Sequence, residues 1–174
     1  MSVFHKFKYK ENFSSSELTS AEKFAVYYHN IFEYPLSFSE LVKWTPKYDK
    51  PINVKVESKN DYYFISGREG LVYKRLIRQR YSNKKMDLAK KASKVISIVP
   101  SVKMIGITGS LAMNNASENS DIDLLVIAKR GTLWQTRLLV YILLKLLNYP
   151  IRIPGNVKEK DKLCLNMWMD ESDL

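Results

Sequence analysis

The stretch from Gly106 to Lys129, GITGSLAMNNASENSDIDLLVIAK, determines how the rest of the chain is interpreted. Two apolar runs flank a polar interval, and the second run carries Asp121 and Asp123 where a buried strand normally holds apolar residues. Side chains alternate faces along a strand, so the two aspartates share one face while Ile122 and Leu124 point into the core. Their Cα atoms lie about 6.6 Å apart at about 3.3 Å per residue. Two carboxylates this close repel each other unless a cation lies between them.

The carboxylate pair and the turn before it suit opposite ends of one ligand. Mg²⁺ prefers oxygen ligands, typically one or two carboxylates, with substrate phosphates completing its shell. Upstream, Gly109 follows a predicted strand and lets the backbone approach a bulky anion. Ser110 lies where a helix would begin, so its hydroxyl and the exposed backbone N–H groups can hold phosphate oxygens. These residues predict a site for a nucleoside triphosphate with bound Mg²⁺ or Mn²⁺.

A GS turn at 109–110, a spacer of ten residues and a D-x-D strand at 121–123 resemble the signature of the polymerase-β-type nucleotidyltransferase superfamily. The resemblance covers roughly residues 85 to 170 and includes the apolar residues that frame both motifs. It implies that two metal ions held by the aspartates clamp the α-phosphate, activate an acceptor hydroxyl and stabilise the leaving pyrophosphate. The nucleotide-binding residues it implies are Gly109, Ser110 and Ser120.

The superfamily usually adds a third carboxylate from a later strand. In KLCLNMWMDES, regular alternation predicts that Cys164, Asn166, Trp168 and Asp170 share one face. Asp170 has the right chemistry at the end of the strand. Asn166 is more central, but an amide is a poor metal ligand and cannot act as a base. We assign the third catalytic position to Asp170; with Asn166 there, the enzyme would be weakened or inactive.

Most of the net charge of +10 is concentrated in residues 68–94, which hold 10 Lys/Arg against 2 Asp/Glu. Apolar residues recur there at three- and four-residue steps, which predicts helix, with a candidate break at 81–83. A basic helix face attracts polyphosphate or nucleic acid; the alternative is a solvated face that keeps the protein soluble. The predicted nucleic-acid-binding residues are Arg75, Arg78, Arg80, Lys84 and Lys85.

The chain order predicts three parts. Residues 1–67 contain a loose arm over 1–17, two helices and a hairpin, which favours a winged-helix-like domain with little room for a recognition helix. Residues 68–100 form the basic helical segment. Residues 101–174 alternate strand and helix, which predicts an α/β (α+β) catalytic core: a small mixed sheet with flanking helices of the nucleotidyltransferase type.

Composition excludes several other classes. The single cysteine permits no internal disulfide and no zinc site built on cysteine pairs. The chain has two histidines, which argues against a histidine-rich metal site. The longest apolar run, Leu138–Leu144, is too short for a membrane span. The first residues lack the apolar core of a signal peptide. We expect a soluble cytoplasmic protein that does not bind membranes.

The expected function is transfer of a nucleoside monophosphate to a hydroxyl acceptor, and the basic segment favours RNA or DNA over a protein or a small molecule. Two alternatives stay open. An antitoxin-type nucleotidyltransferase that modifies a partner protein suits the short catalytic region but not the winged-helix-like segment. A catalytically degenerate regulator that binds nucleic acid suits the unsettled third carboxylate but not the intact Asp121 and Asp123.

Overall fold

The computed structural model describes residues 18–48, 50–153, 155 and 159–174, so the arm predicted for residues 1–17 lies outside the described residues. The chain divides into two compact units, Met1–Leu76 and Ile77–Leu174, here called the N-terminal and C-terminal units. Among the described helices, none combines the length and the apolar character needed to cross a bilayer.

The N-terminal unit pairs two helices with a small antiparallel sheet. Both helices begin with a capping box, in which a Thr or Ser side chain and a Glu three residues later satisfy the first backbone N–H groups. The strand order is β1-β3-β2. No helix lies between α2 and β2 among the described residues, and the winged-helix-like assignment stays a prediction. The elements are α1 (Ser20–Asn30), β1 (Leu36–Ser37), α2 (Phe38–Trp44), β2 (Val56–Lys59) and β3 (Tyr62–Ile65).

Helix α3 (Gly70–Ile96) begins in the N-terminal unit and continues into the C-terminal unit. The candidate break at 81–83 is wrong, because the helix is continuous through these residues. Serine favours turns because its hydroxyl competes for backbone groups. Here the Ser82 hydroxyl is buried and accepts the backbone N–H of Ala116 at 2.9 Å, so a tertiary hydrogen bond uses that hydroxyl within the helix.

The C-terminal unit is a three-stranded mixed sheet of order β4-β5-β6 with helices against it, which confirms the predicted α+β fold class. β4 pairs antiparallel with β5, while β5 and β6 are parallel and therefore need the crossover helix α5. The core is formed by residues from α3, β5, α5 and β6. The elements are β4 (Val102–Ile107), α4 (Gly109–Ala112), β5 (Ile122–Ala128), α5 (Leu133–Leu146) and β6 (Leu163–Asp170), followed by a 3-10 turn (Glu171–Asp173).

The structure corrects the assignment of Arg75 to a nucleic-acid surface. Its side chain is buried, and its Nη2 donates to Oε1 of Glu40 at 2.7 Å. The guanidinium lies 3.5 Å from the centroid of the Tyr34 ring, and the Tyr34 hydroxyl donates to the same carboxylate at 2.6 Å. Burial and this hydrogen bond raise the pKa of Tyr34 to about 12. Arg75 is therefore part of the core of the N-terminal unit and unavailable to phosphate.

Replacing Arg75 with Met should lower the free energy of unfolding by about 3 kcal/mol, because it leaves the partly buried Glu40 carboxylate without its cation. Urea denaturation of the full chain, followed by circular dichroism, measures the change. Arg80→Met is the matched control: the same substitution at an exposed position of the same helix, where a change within about 0.5 kcal/mol is expected. Equal stability of the two variants would contradict a structural role for Arg75.

Candidate active site

Strand β5 delivers the two aspartates to one face of the sheet. Asp121 immediately precedes the strand and Asp123 is its second residue, while Ile122 and Leu124 are fully buried on the opposite face. The alternation predicted from the sequence is therefore present at the position of the D-x-D motif. Both aspartates are half-buried, which strengthens electrostatic interactions between them relative to water.

The turn between β4 and α4 lies directly against Asp123. The Thr108 N–H donates to the Asp123 carbonyl at 3.0 Å, and Gly109 follows with a φ of +63°. A Cβ built on Gly109 would lie 3.2 Å from Cγ of Asp123 and closer still to its Oδ2. Glycine is therefore required twice, for the left-handed backbone and for room beside the carboxylate. Gly109 and Ser110 are both exposed, next to the acidic pair.

The surroundings of the Asp123 carboxylate disfavour its charged form. Burial, and after it the negative charge of Asp121, raise the pKa of Asp123 above its ordinary value. Its Oδ1 receives a long hydrogen bond of 3.5 Å from Nδ2 of Asn166. A cation between the two aspartates would relieve this repulsion, as a divalent metal ion does at paired carboxylates.

Strand β6 brings a thiol to the acidic pair. The parallel register places Cys164 opposite Asp123. One ligand atom from each of Asp121, Asp123 and Cys164 lies within 4.8 Å of the others. The thiol is buried, and burial raises its pKa. Alternation predicted that Cys164 lies on this face, but its thiol was not predicted as a ligand from the sequence.

The assignment of Asp170 as the third carboxylate is wrong. It pairs with Ala128, five residues beyond Asp123 and so about 16 Å along the strand. A register shift between Asp123 and Leu125 disrupts the alternation of β6, which has three consecutive buried residues followed by two exposed ones. The Asp170 carboxylate accepts the backbone N–H of Ser172 at 3.0 Å and of Gly131 at 2.8 Å. The hydrogen bonds from Ser172 are the main cause that lowers the pKa of Asp170. Asp170 therefore stabilises two turns and does not contribute to the acidic pair.

Arg152 was not predicted from the sequence and lies within hydrogen-bonding distance of the acidic pair. Its Nη1 donates to Oδ2 of Asp121 at 2.8 Å and approaches Sγ of Cys164 at 3.5 Å, while its Nη2 lies 2.5 Å from Oε1 of Glu159. Its position in the sequence, in a loop after Pro150, carries no motif. Only the tertiary fold brings it to β5.

The structure also corrects the assignment of Lys85 to a nucleic-acid surface. Its buried ammonium group donates to Oδ1 of Asp161 at 2.5 Å and to the carbonyls of Glu118 and Ser120 at 3.1 and 2.8 Å. These three bonds use all three ammonium donors. Because Ser120 immediately precedes Asp121, Lys85 positions the loop that leads into β5.

The other predicted contacts differ in accessibility. The Ser120 hydroxyl donates to the carbonyl of Ser117 at 3.0 Å, so it supports the loop before β5. Arg78 is half-buried and donates to Asn115 at 3.3 Å. Arg80 and Lys84 are exposed. Of the predicted nucleotide-binding residues, Gly109 lies against Asp123, its neighbour Ser110 is exposed, and Ser120 directly precedes Asp121.

Paired carboxylates on a mixed sheet beside a glycine turn are the arrangement expected of the nucleotidyltransferase class. Residues 88–168 match the family model described as a nucleotidyltransferase domain, a span that contains both motifs, Arg152 and Cys164. This part of the chain is therefore similar to the nucleotidyltransferase domain. No curated protein and no solved structure matches the chain.

The donor set fits one divalent ion. Asp121 and Asp123 supply the oxygen ligands that Mg²⁺ and Mn²⁺ prefer, and the missing Cβ of Gly109 leaves room beside them. A second ion held by three carboxylates does not fit the described residues, because β6 offers Cys164 and Asn166 near Asp123.

Gly109→Ala should lower the affinity for Mn²⁺ and for nucleoside triphosphate at least tenfold, because the added Cβ displaces the Asp123 carboxylate. The matched control is Gly131→Ala, since Gly131 also has positive φ, +71°, but open space around its Cβ position. Both variants should lose about 1–2 kcal/mol of stability from backbone strain. Titration calorimetry and thermal unfolding separate the two effects. Equal affinity loss in both variants would show that Gly109 acts only through its backbone.

Proposed function

We propose that the C-terminal unit transfers a nucleoside monophosphate from a nucleoside triphosphate to a hydroxyl acceptor. The observation that carries the proposal is the direct contact between the Gly109 turn and the Asp123 carboxylate, inside the segment that matches a nucleotidyltransferase domain. The turn offers exposed backbone N–H groups for phosphate, and the strand offers carboxylates for a cation. A phosphate group bound at the turn would therefore lie beside the acidic pair.

The reaction forms a bond between the acceptor oxygen and the α-phosphorus and breaks the α–β anhydride bond, so that pyrophosphate leaves with the bonding electron pair. A bound Mg²⁺ or Mn²⁺ supplies neutralisation of the charge that develops on the phosphate oxygens. Asp121 and Asp123 hold that ion in the proposal, while Gly109 and Ser110 orient the phosphates. Asp123, which pairs with no arginine or lysine among the described residues, can accept the proton of the acceptor hydroxyl.

The proposal assigns one ion to the aspartates instead of the two implied by the superfamily resemblance. A two-ion site usually depends on three carboxylates, and Asp170 lies at the far end of β6. Mg²⁺ commonly completes its shell with substrate phosphates and water when the protein supplies only one or two carboxylates. Nucleotide binding and metal binding should therefore be strongly coupled in this protein.

Asp123→Asn should reduce nucleotide transfer at least 100-fold while keeping or raising the unfolding temperature. The pKa of Asp123 is raised in the folded state, so its ionised form costs stability as pH rises through that pKa, and the uncharged amide avoids the cost. The assay incubates the full chain with each α-labelled nucleoside triphosphate, Mg²⁺ or Mn²⁺, and total cellular RNA or protein.

Asp170→Asn is the matched control in the same assay, because it removes a carboxylate from the same sheet and should retain transfer within about threefold. Transfer by Asp123→Asn at the wild-type rate would contradict the proposed role of Asp123 in the reaction. A wild-type chain that transfers no label to any fraction would support the catalytically degenerate alternative.

The nature of the acceptor is a finer proposal, which depends on the exposed part of the basic segment. Four exposed residues of α3 recur at steps of four, seven and three, so they lie along one helix face over about 21 Å. Asp87 adds one negative charge on the same face. We call this set the basic stripe: Arg80, Lys84, Lys91 and Lys94. A row of exposed cations of this length suits the phosphate backbone of RNA or DNA.

Reversing Arg80, Lys84 and Lys91 to Glu should weaken binding of a short RNA or DNA without altering base preference, because phosphate contacts position rather than specify. Each lost contact should reduce the steepness of the log–log salt dependence by about 0.9 on duplex DNA or about 0.7 on a single strand. Fluorescence anisotropy between low and physiological salt measures both quantities.

The matched control for this experiment reverses Lys103, Lys129 and Lys145, which are exposed in the same unit and give the same change in net charge. Equal losses in the two triple variants would mean that net charge alone drives binding. Transfer of label to the protein fraction would contradict a nucleic-acid acceptor and support the alternative in which a partner protein is modified.

A further inference from the structure

The guanidinium of Arg152 already occupies the donor set that would hold the metal ion. Its Nη1 lies 2.8 Å from Oδ2 of Asp121 and 3.5 Å from Sγ of Cys164. The ligand atoms of Asp121, Asp123 and Cys164 lie within 4.8 Å of one another, so this positive group contacts two of the three residues. A divalent ion bonded to Oδ2 at about 2.1 Å would meet the guanidinium at close range.

The backbone of Arg152 is fixed while its side chain has a second anion available. The backbone N–H donates to the carbonyl of Leu163 at 2.9 Å, which ties the loop to the start of β6. The side chain is 38% exposed, and its Nη2 forms an ion pair with Glu159 at 2.5 Å. The contact with Asp121 therefore depends on the side-chain conformation of Arg152 and not on its backbone, and Glu159 is a second anion within reach of the guanidinium.

We infer that Arg152 and the divalent ion are alternative occupants of Asp121, and that the ion binds there together with the triphosphate rather than alone. This inference rests on the proposed function, which supplies the metal and the nucleotide. The guanidinium and the divalent ion are both positive, so their repulsion in this half-buried site disfavours binding of both to Asp121 at once. The triphosphate changes the balance, because its phosphates add ligands to the ion and offer the displaced guanidinium a new anion.

The test measures Mn²⁺ binding to the full chain in the absence of nucleotide, by electron paramagnetic resonance of the free ion. Arg152→Met should bind Mn²⁺ at least tenfold more tightly than the wild type, because the competing cation is gone. Arg152→Gln should show the same direction, and it serves if the Met variant does not fold. Arg152→Lys, which keeps the positive charge, should stay within about threefold of the wild type.

Lys145→Met, at an exposed position outside the basic stripe, is the control for loss of one positive charge, and it should leave Mn²⁺ binding within twofold of the wild type. The double variant Arg152→Met/Asp123→Asn should lose the gain, which locates the ion at this site. A non-hydrolysable nucleoside triphosphate should tighten Mn²⁺ binding more in the wild type than in Arg152→Met, because only the wild type must displace Arg152.

Mn²⁺ affinity that is unchanged or weaker in both Arg152→Met and Arg152→Gln would overturn the inference, as would a gain that persists in the double variant. These outcomes are distinct from failure of the proposed function, which is measured by label transfer. Tighter Mn²⁺ binding without any transfer would support competition at Asp121 and reject the nucleotidyltransferase reaction.

Discussion

The parallel pairing of β5 with β6 is the constraint on which the candidate site depends. With Cys164 fixed opposite Asp123, the strand brings a thiol and then an amide to the acidic pair, and it carries Asp170 to the opposite end of the sheet. The same pairing places the loop before β6 beside the start of β5, which brings Arg152 to Asp121. Parallel strands require a long crossover, so α5 is as necessary to this geometry as the strands themselves.

Local features of the site could be predicted from the sequence because each has a local physical cause. Alternation along β5 follows from strand geometry, and Gly109 is explained by positive φ and by the adjacent carboxylate. The register of β6 could not be predicted in the same way. Extrapolating regular alternation from Cys164 to Asp170 fails because the pairing shifts within the strand. Arg152 had no motif to mark it, since its partners are Asp121 just before β5, Cys164 on β6 and Glu159.

The basic segment shows that the number of charged residues in a segment does not predict which of them are exposed. Arg75 and Lys85 contribute to the +8 balance of residues 68–94, yet both are buried and paired with carboxylates or carbonyls. Long aliphatic stems let such residues enter a core while the charged group finds partners. Burial of a cation is tolerated only when its partners are present, so these two residues fix structure in separate units of the protein.

The acidic pair carries an energetic cost that the rest of the site partly offsets. Two carboxylates on one strand face, half-buried, raise the pKa of Asp123 and would favour a different residue if stability alone mattered. The Arg152 guanidinium neutralises Asp121, and the Asn166 amide contacts Asp123. The Arg152 guanidinium is on a partly exposed side chain, so another cation can replace it. The Lys85 ammonium group is buried with all three donors used, so it cannot be replaced in the same way. The contact between Arg152 and Asp121 therefore offsets the charge of that carboxylate and belongs to the replaceable kind.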